Sequence, residues 1–140
     1  MDIIRNILAV FVGLGIGSAV NMAIVIYGPG LIPPPAGVDV SNAESIRDSI
    51  HLFEAKHFVT PFVAHAAGTL VGAAVAFVIA AKRQVIIAYI IGAVFLAGGI
   101  TASFMIPAPV WFIVVDLVFA YIPMAWIGAK LGNKISKAKT

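Results

Sequence analysis

The chain has 140 residues, of which 61% are apolar, with a mean hydropathy of +1.07 and a formal net charge of +3. A soluble domain is nearer half apolar, and a soluble helical bundle carries charge along one face of each helix, so a water-soluble globular domain is excluded. The chain has no cysteine, which excludes disulfides, thiolate metal sites and cysteine nucleophiles.

Four apolar segments fill most of the chain, at about residues 7–27, 61–81, 85–105 and 109–129. A bilayer core needs about 20 apolar residues per helix, and each segment meets that length. The predicted fold is all-α: one transmembrane domain over residues 1–140, built as a four-helix bundle, with a short amphipathic extracytoplasmic helix between helices one and two. The first segment is longer than a signal-peptide core and has no small-x-small cleavage pattern after it, so it is expected to be a mature helix.

Helix one carries Gly13, Gly17 and Asn21 at a spacing of four, hence on one face. Helix two repeats the pattern with Ala64, Gly68, Gly72, Ala76 and Ala80. Helix three has Gly92 and Gly99, and helix four has Ala120, Met124, Gly128 and Gly132 in one row. Lipid supplies no hydrophobic drive between helices, so small residues in such rows allow the close approach that holds a bundle together. These seams predict tight packing within one chain or between copies, and a homo-oligomer or a partner in a membrane complex is expected on that basis.

The connection after helix one has its own order. Gly28-Pro29-Gly30 stops the helix, and Pro33-Pro34-Pro35 favours a stiff extended stretch. Ser41 followed by Glu44 reads as a capping box opening a surface helix over about 42–56. Ile46, Ile50, Phe53 and His57 share one face of it, which suits a helix lying on the membrane or over the bundle mouth. Thr60-Pro61 reads as N-cap and first position of helix two. Pro109 suits the first position of helix four, and Pro107 breaks helix three. Pro123 lies inside helix four and should kink it, because its ring clashes with the carbonyl of Phe119.

Basic residues are unevenly placed. Arg5, Lys82, Arg83, Lys130, Lys134, Lys137 and Lys139 fall on one side if the chain crosses four times. The other side has Arg47 and Lys56 among acids. The positive-inside rule then puts both termini in the cytoplasm, in a bacterial inner membrane; the basic 130–140 tail reads first as the ordinary topology signal, with contact to anionic headgroups as the alternative. Tyr27, Trp111 and Trp126 fall at interface-belt positions.

Function is carried by few residues. Asp116 is the one charged residue inside the four spans, and an aspartate at a helix centre costs about 2.5–3.5 kcal/mol to insert. Such residues face a bundle interior and have a partner. At about 1.5 Å per residue, His65, Asn21 and Asp116 lie about 6, 9 and 10 Å below the outer surface. Asp116, His65 and Asn21 are therefore the candidates for ligand binding or proton handling, and a His65–Asp116 pair could be held neutral or ionised. His51, Glu54 and His57 form H-x-x-E-x-x-H on the surface helix. One helix spreads the two histidines by about 120° at about 100° per residue, so no metal site and no cofactor is expected there. These three remain secondary candidates.

No nucleophile elbow, P-loop or dinucleotide fingerprint is present, and Gly13-Leu14-Gly15-Ile16-Gly17 lies inside a membrane helix. Nucleic-acid binding is not expected, because the basic residues flank helices instead of forming a face.

The stretch Pro107–Phe112, Asp116, Tyr121–Trp126 and the run His51–Glu54 give a plan that resembles small four-helix bacterial integral membrane proteins. The resemblance implies the fold and no activity. Small multidrug-resistance transporters are similar in size and helix count, but their key carboxylate is a glutamate in helix one, where this chain has no acid beyond Asp2. Fluoride channels are similar in length, without matching polar motifs. The expected function is binding or transport of a small molecule or lipid at a polar site in the outer half of the membrane. One alternative is an accessory subunit whose polar residues only lock helices. Another is a membrane enzyme acting on a lipid or quinone.

Overall fold

The computed structural model describes residues 1–138; Lys139 of the basic tail lies outside them. Its elements in chain order are α1 (Asp2–Tyr27), α2 (Ala43–Ser49), α3 (Val59–Ile79), α4 (Gln84–Met105), α5 (Val110–Phe119) and α6 (Ile122–Ala138), with no strand among the described residues. Four helical stretches are long and apolar enough to cross a membrane: Asp2–Gly30, Ala55–Ile79, Gln84–Met105 and Val110–Ala138. They point to an integral membrane protein.

The helix α3 is the centre of the bundle. Half of its most apolar window is buried, against 17% for α1 and 22% for α4, and α1, α4 and α6 all pack on it. The reason is its small residues. An added Cβ on Gly13 of α1 would stand 2.8 Å from both the Ala76 Cβ and the Gly72 carbonyl oxygen. An added Cβ on Gly68 or Gly72 would meet the carbonyl of Gly17 or Gly13 at 2.7 Å, and one on Gly17 would meet the Gly68 carbonyl at 2.6 Å. On the other side of α3, Gly128 of α6 sits on the Leu70 carbonyl, and Gly132 sits on Phe77. Gly92 of α4 faces Ala125. These seams are satisfied inside one chain, so they give no argument for self-association.

The N-terminus and the α3–α4 turn share one end. The first polar residues of α1 satisfy backbone groups left over at the end of α3. Arg5 Nε donates to the Ile79 carbonyl (2.6 Å). Asn6 Oδ1 accepts from Ala81 N (2.9 Å), and its Nδ2 donates to the Lys82 carbonyl (3.2 Å). Lys82 pairs with Asp2 at 2.7 Å. Arg83, with φ 53°, adopts the left-handed conformation that closes the turn. Lys130 lies 3.7 Å over the Trp126 ring.

Several local expectations are corrected. The surface helix does not run over 42–56: α2 ends at Ser49, and two 3-10 turns, Ile50–Leu52 and Ala55–Phe58, follow it with extended Phe53 and Glu54 between. Its N-cap is Asn42, whose Oδ1 accepts from Glu44 N and Ser45 N, and not Ser41. Ser41 instead donates its hydroxyl and N–H to Asp39 (2.6 and 2.9 Å), which holds that carboxyl below its usual range. The capping box lies further on: Glu54 caps the second 3-10 turn, and His57 Nδ1 accepts from Glu54 N at 2.8 Å. Lys56 pairs with Glu54 at 3.0 Å and holds its carboxyl low.

α3 starts at Val59 behind Phe58, not at Thr60, and Pro61 falls in its first turn, where the missing N–H costs nothing. Pro109 is the N-cap of α5, outside the helix. Pro123 does more than kink the fourth span. It splits the span into α5 and α6, with Ala120 and Tyr121 between them.

Candidate functional site

The break before Pro123 creates the centre of the site. In a regular helix Asp116 and Tyr121 would stand about 140° apart at about 100° per residue. Here the chain turns at Ala120–Tyr121, and the Tyr121 hydroxyl donates to Asp116 Oδ2 at 2.9 Å. His65 Nδ1 reaches the same carboxylate from α3, 2.8 Å from Oδ1 and 3.0 Å from Oδ2. The imidazole stacks on the Tyr121 ring at a centroid distance of 5.8 Å. Tyr121 is 2% and Asp116 5% exposed, while the His65 side chain keeps 25%.

The Asp116 carboxyl thus has two hydrogen-bond partners, His65 on α3 and Tyr121 in the break between α5 and α6, both at ordinary length. Gly99 makes room for the arrangement: a Cβ there would overlap the Tyr121 hydroxyl and lie 2.6 Å from its ring Cζ.

Above the carboxylate is a cavity of about 220 Å³. It extends from Asp116 and His65 up to the connection that follows α1, with Pro29, Ile46 and Ile50 among its upper walls. Apolar side chains dominate its lining, and it contains no lysine or arginine. His57, 9% exposed, also borders it. An aromatic cluster backs that side. Phe58 packs on Phe53, Trp111 and Phe112 at 5.8, 5.6 and 4.7 Å, and Phe53 meets the His57 ring edge-on at 5.6 Å.

Of the primary candidates, His65 and Asp116 meet. Asn21 does not join them: its Cβ packs over Gly68 at the α1–α3 crossing, and it does not line the cavity. Of the secondary candidates, His57 borders the cavity, whereas His51 and Glu54 are exposed. They are spread over two turns, and among the described residues no group of three His, Cys, Asp or Glu side chains is arranged to hold a metal. Ser103 borders the cavity, with its hydroxyl donating to the Ile100 carbonyl at 2.7 Å; Thr101 donates back to Ala97 at 2.9 Å.

One participant, and one buried polar group outside the cavity lining, were not anticipated. Tyr121 is invisible to helical spacing, because it reaches Asp116 only through the break. Thr69 lies one turn past His65 and is fully buried, with a hydroxyl that has no hydrogen-bond partner. Its spacing of four from His65 was readable in the sequence.

Comparison with protein-family models, with curated proteins and with solved structures gives no match for this chain.

Proposed function

We propose that this membrane protein binds a small, largely apolar molecule with a polar end in the cavity above Asp116, and that His65 meets the polar end. The observation that carries the reading is a cavity with mostly apolar walls that ends on a buried carboxylate–imidazole pair. Concave, mostly apolar sites with a few convergent polar groups are the usual form of a small-molecule site. Nδ1 of His65 is engaged by Asp116, and Nε2 has no partner among the described residues. One ring nitrogen is therefore fixed and the other is free to meet a ligand.

The basic residues near Arg5, Lys82 and Arg83 lie at the end away from the cavity. By the positive-inside rule that end is cytoplasmic, so the proposed site opens on the outer side of a bacterial inner membrane. Beneath the site α3 continues as Ala73 and Ala76, both fully buried, which favours binding from one side over conduction through the bundle.

A second reading has one observation in its favour. Asp116 is satisfied by Tyr121 and His65 with no ligand, as in a structural lock between helices. Native mass spectrometry of the protein released from mild detergent separates the two. A discrete bound mass retained by wild type and lost in His65→Ala supports the site. A bare protein in both, with lowered thermal stability in Asp116→Asn, would leave only the structural lock.

A further inference from the structure

We infer that the cavity takes an uncharged benzenoid ring that carries a hydroxyl at its inner end and a hydrogen-bond-accepting oxygen at its outer end, the pattern of an alkoxyphenol or quinol-type head. The inference rests on the binding reading above and names its ligand class. It starts from the two histidines that border the same cavity, because their surroundings hold them in opposite tautomers. His57 Nδ1 accepts from Glu54 N–H at 2.8 Å. A ring nitrogen that accepts cannot carry the proton, so neutral His57 has it on Nε2 and is a donor there. His65 Nδ1 faces both oxygens of a carboxylate that already accepts the Tyr121 hydroxyl. Against an ionised carboxylate, which can only accept, Nδ1–H donates, so neutral His65 has a lone pair on Nε2 and is an acceptor there. Neither Nε2 has a partner among the described residues. The cavity therefore offers a donor at its outer part and an acceptor at its inner part.

Spacing and size narrow the class. His57 and His65 lie on one continuous helical stretch, Ala55–Ile79. His57 lies in the 3-10 turn before α3 and His65 in the second turn of α3, so the two imidazoles stand at different depths of one cavity and suit a ligand with a polar atom at each end. A cavity of about 150 Å³ is enough for benzene, so the space of about 220 Å³ here suits a ring with two small substituents. The lining has no lysine or arginine, so nothing in it offsets the desolvation of a phosphate or carboxylate headgroup. The flanking rings of Phe53, Phe58 and Phe112 suit an aromatic guest.

The test is calorimetric titration of the full chain in mild detergent with three probes: 4-methoxyphenol, 4-methylanisole (no inner donor) and 4-ethylphenol (no outer acceptor). The expected result is that 4-methoxyphenol binds about tenfold more tightly than either of the others, the worth of one hydrogen bond. In His65→Phe the advantage over 4-methylanisole disappears while that over 4-ethylphenol stays. Imidazole ¹⁵N shifts in the wild type need no variant: His57 is expected as the Nε2–H tautomer and His65 as the Nδ1–H tautomer. Equal affinity for the three probes, or the same tautomer at both histidines, would overturn the assignment. Failure of all three probes to bind, while native mass spectrometry still finds a ligand lost in His65→Ala, would overturn the ring class and leave the binding site standing. No probe bound and no retained mass would remove both.

Discussion

The two ends of the bundle are built by opposite means. At the end shared by the N-terminus and the α3–α4 turn, backbones are in direct contact. Gly13 lies against Gly72, Gly128 lies on the Leu70 carbonyl, and Ala9, Ala73, Ala76 and Ala125 are fully buried. At the other end the walls are large side chains and prolines, and between them is open space of about 220 Å³ above a buried acid. Small residues permit backbone contact, and contact leaves no cavity. Where the small residues run out, Asp116, Tyr121 and His65 hold α3, α5 and the start of α6 together through directed hydrogen bonds. One half is closed by shape and the other by polarity, and only the second leaves room for a guest.

The largest effect should come from breaking the closed half. A valine at Gly72 would drive its Cβ into the Gly13 carbonyl and the Gly17 Cα, at 2.7 and 3.3 Å before relaxation. Both obstacles are backbone, so α1 and α3 must separate, at a cost of about 3 kcal/mol or more. Thermal unfolding in detergent should show Gly72→Val far below wild type. Gly15→Val and Gly98→Val, which would meet nothing within 4 Å, should unfold near wild type. Equal losses in all three variants would mean that the seam does not hold the bundle.

Next is the polar half. Asp116→Ala removes the acceptor of Tyr121 O–H and of His65 N–H at once. A buried Tyr121 hydroxyl and a part-buried His65 imidazole left unmatched cost about 2 kcal/mol together, measurable in the same melt. Asp116→Asn keeps an acceptor oxygen and should cost about half as much. If Asp116→Ala were neutral, the open half would be held by the aromatic packing around Phe58 alone.

Tyr121→Phe is a finer cut. It removes one hydrogen bond to Asp116 and keeps the ring over Gly99 and His65, so about 1 kcal/mol should be lost. Gly99→Ala should cost at least as much, because its Cβ would collide with Tyr121. The two losses should not add, since either change disturbs the same contact. Additive losses in the double variant would show that Gly99 serves some other packing.

Much of the closed half was legible in the sequence, and little of the open half. Periodicity of four identifies Gly13, Gly17, Gly68, Gly72 and Gly128, because a regular helix maps spacing onto a face, and α1, α3 and α6 are regular through their seams. His65 and Asp116 could be matched by depth, since both count residues from a proline at the outer surface. That they face each other depends on helix rotation, which spacing does not supply. Tyr121 was illegible because Pro123 breaks the helix and changes its direction, so the spacing of five loses its usual meaning. The connection misled for a related reason. Ser41 and Glu44 match a capping box, but the Ser41 hydroxyl is taken by Asp39, two residues back, and Asn42 caps α2 in its place. Local competition between side chains for the same backbone groups decides such ends.

Thr69 marks where the polar half stops, and it should give the smallest effect with the opposite sign. It is one turn past His65 on α3, fully buried, and its hydroxyl has no partner. A threonine inside a helix usually bonds back to the carbonyl four residues earlier, here that of His65, and this one does not. Its neighbours further along, Gly72, Ala73 and Ala76, offer no polar side chain. Valine has nearly the same shape without the hydroxyl, so Thr69→Val relieves an unmatched buried group at no packing cost. The protein should become more stable by up to about 1 kcal/mol, or stay unchanged. A destabilised Thr69→Val would reveal a partner for the hydroxyl, such as a buried water between it and the His65–Asp116 pair. The polar row would then reach one turn deeper, and the boundary between the two halves would lie at Ala73 instead of at His65.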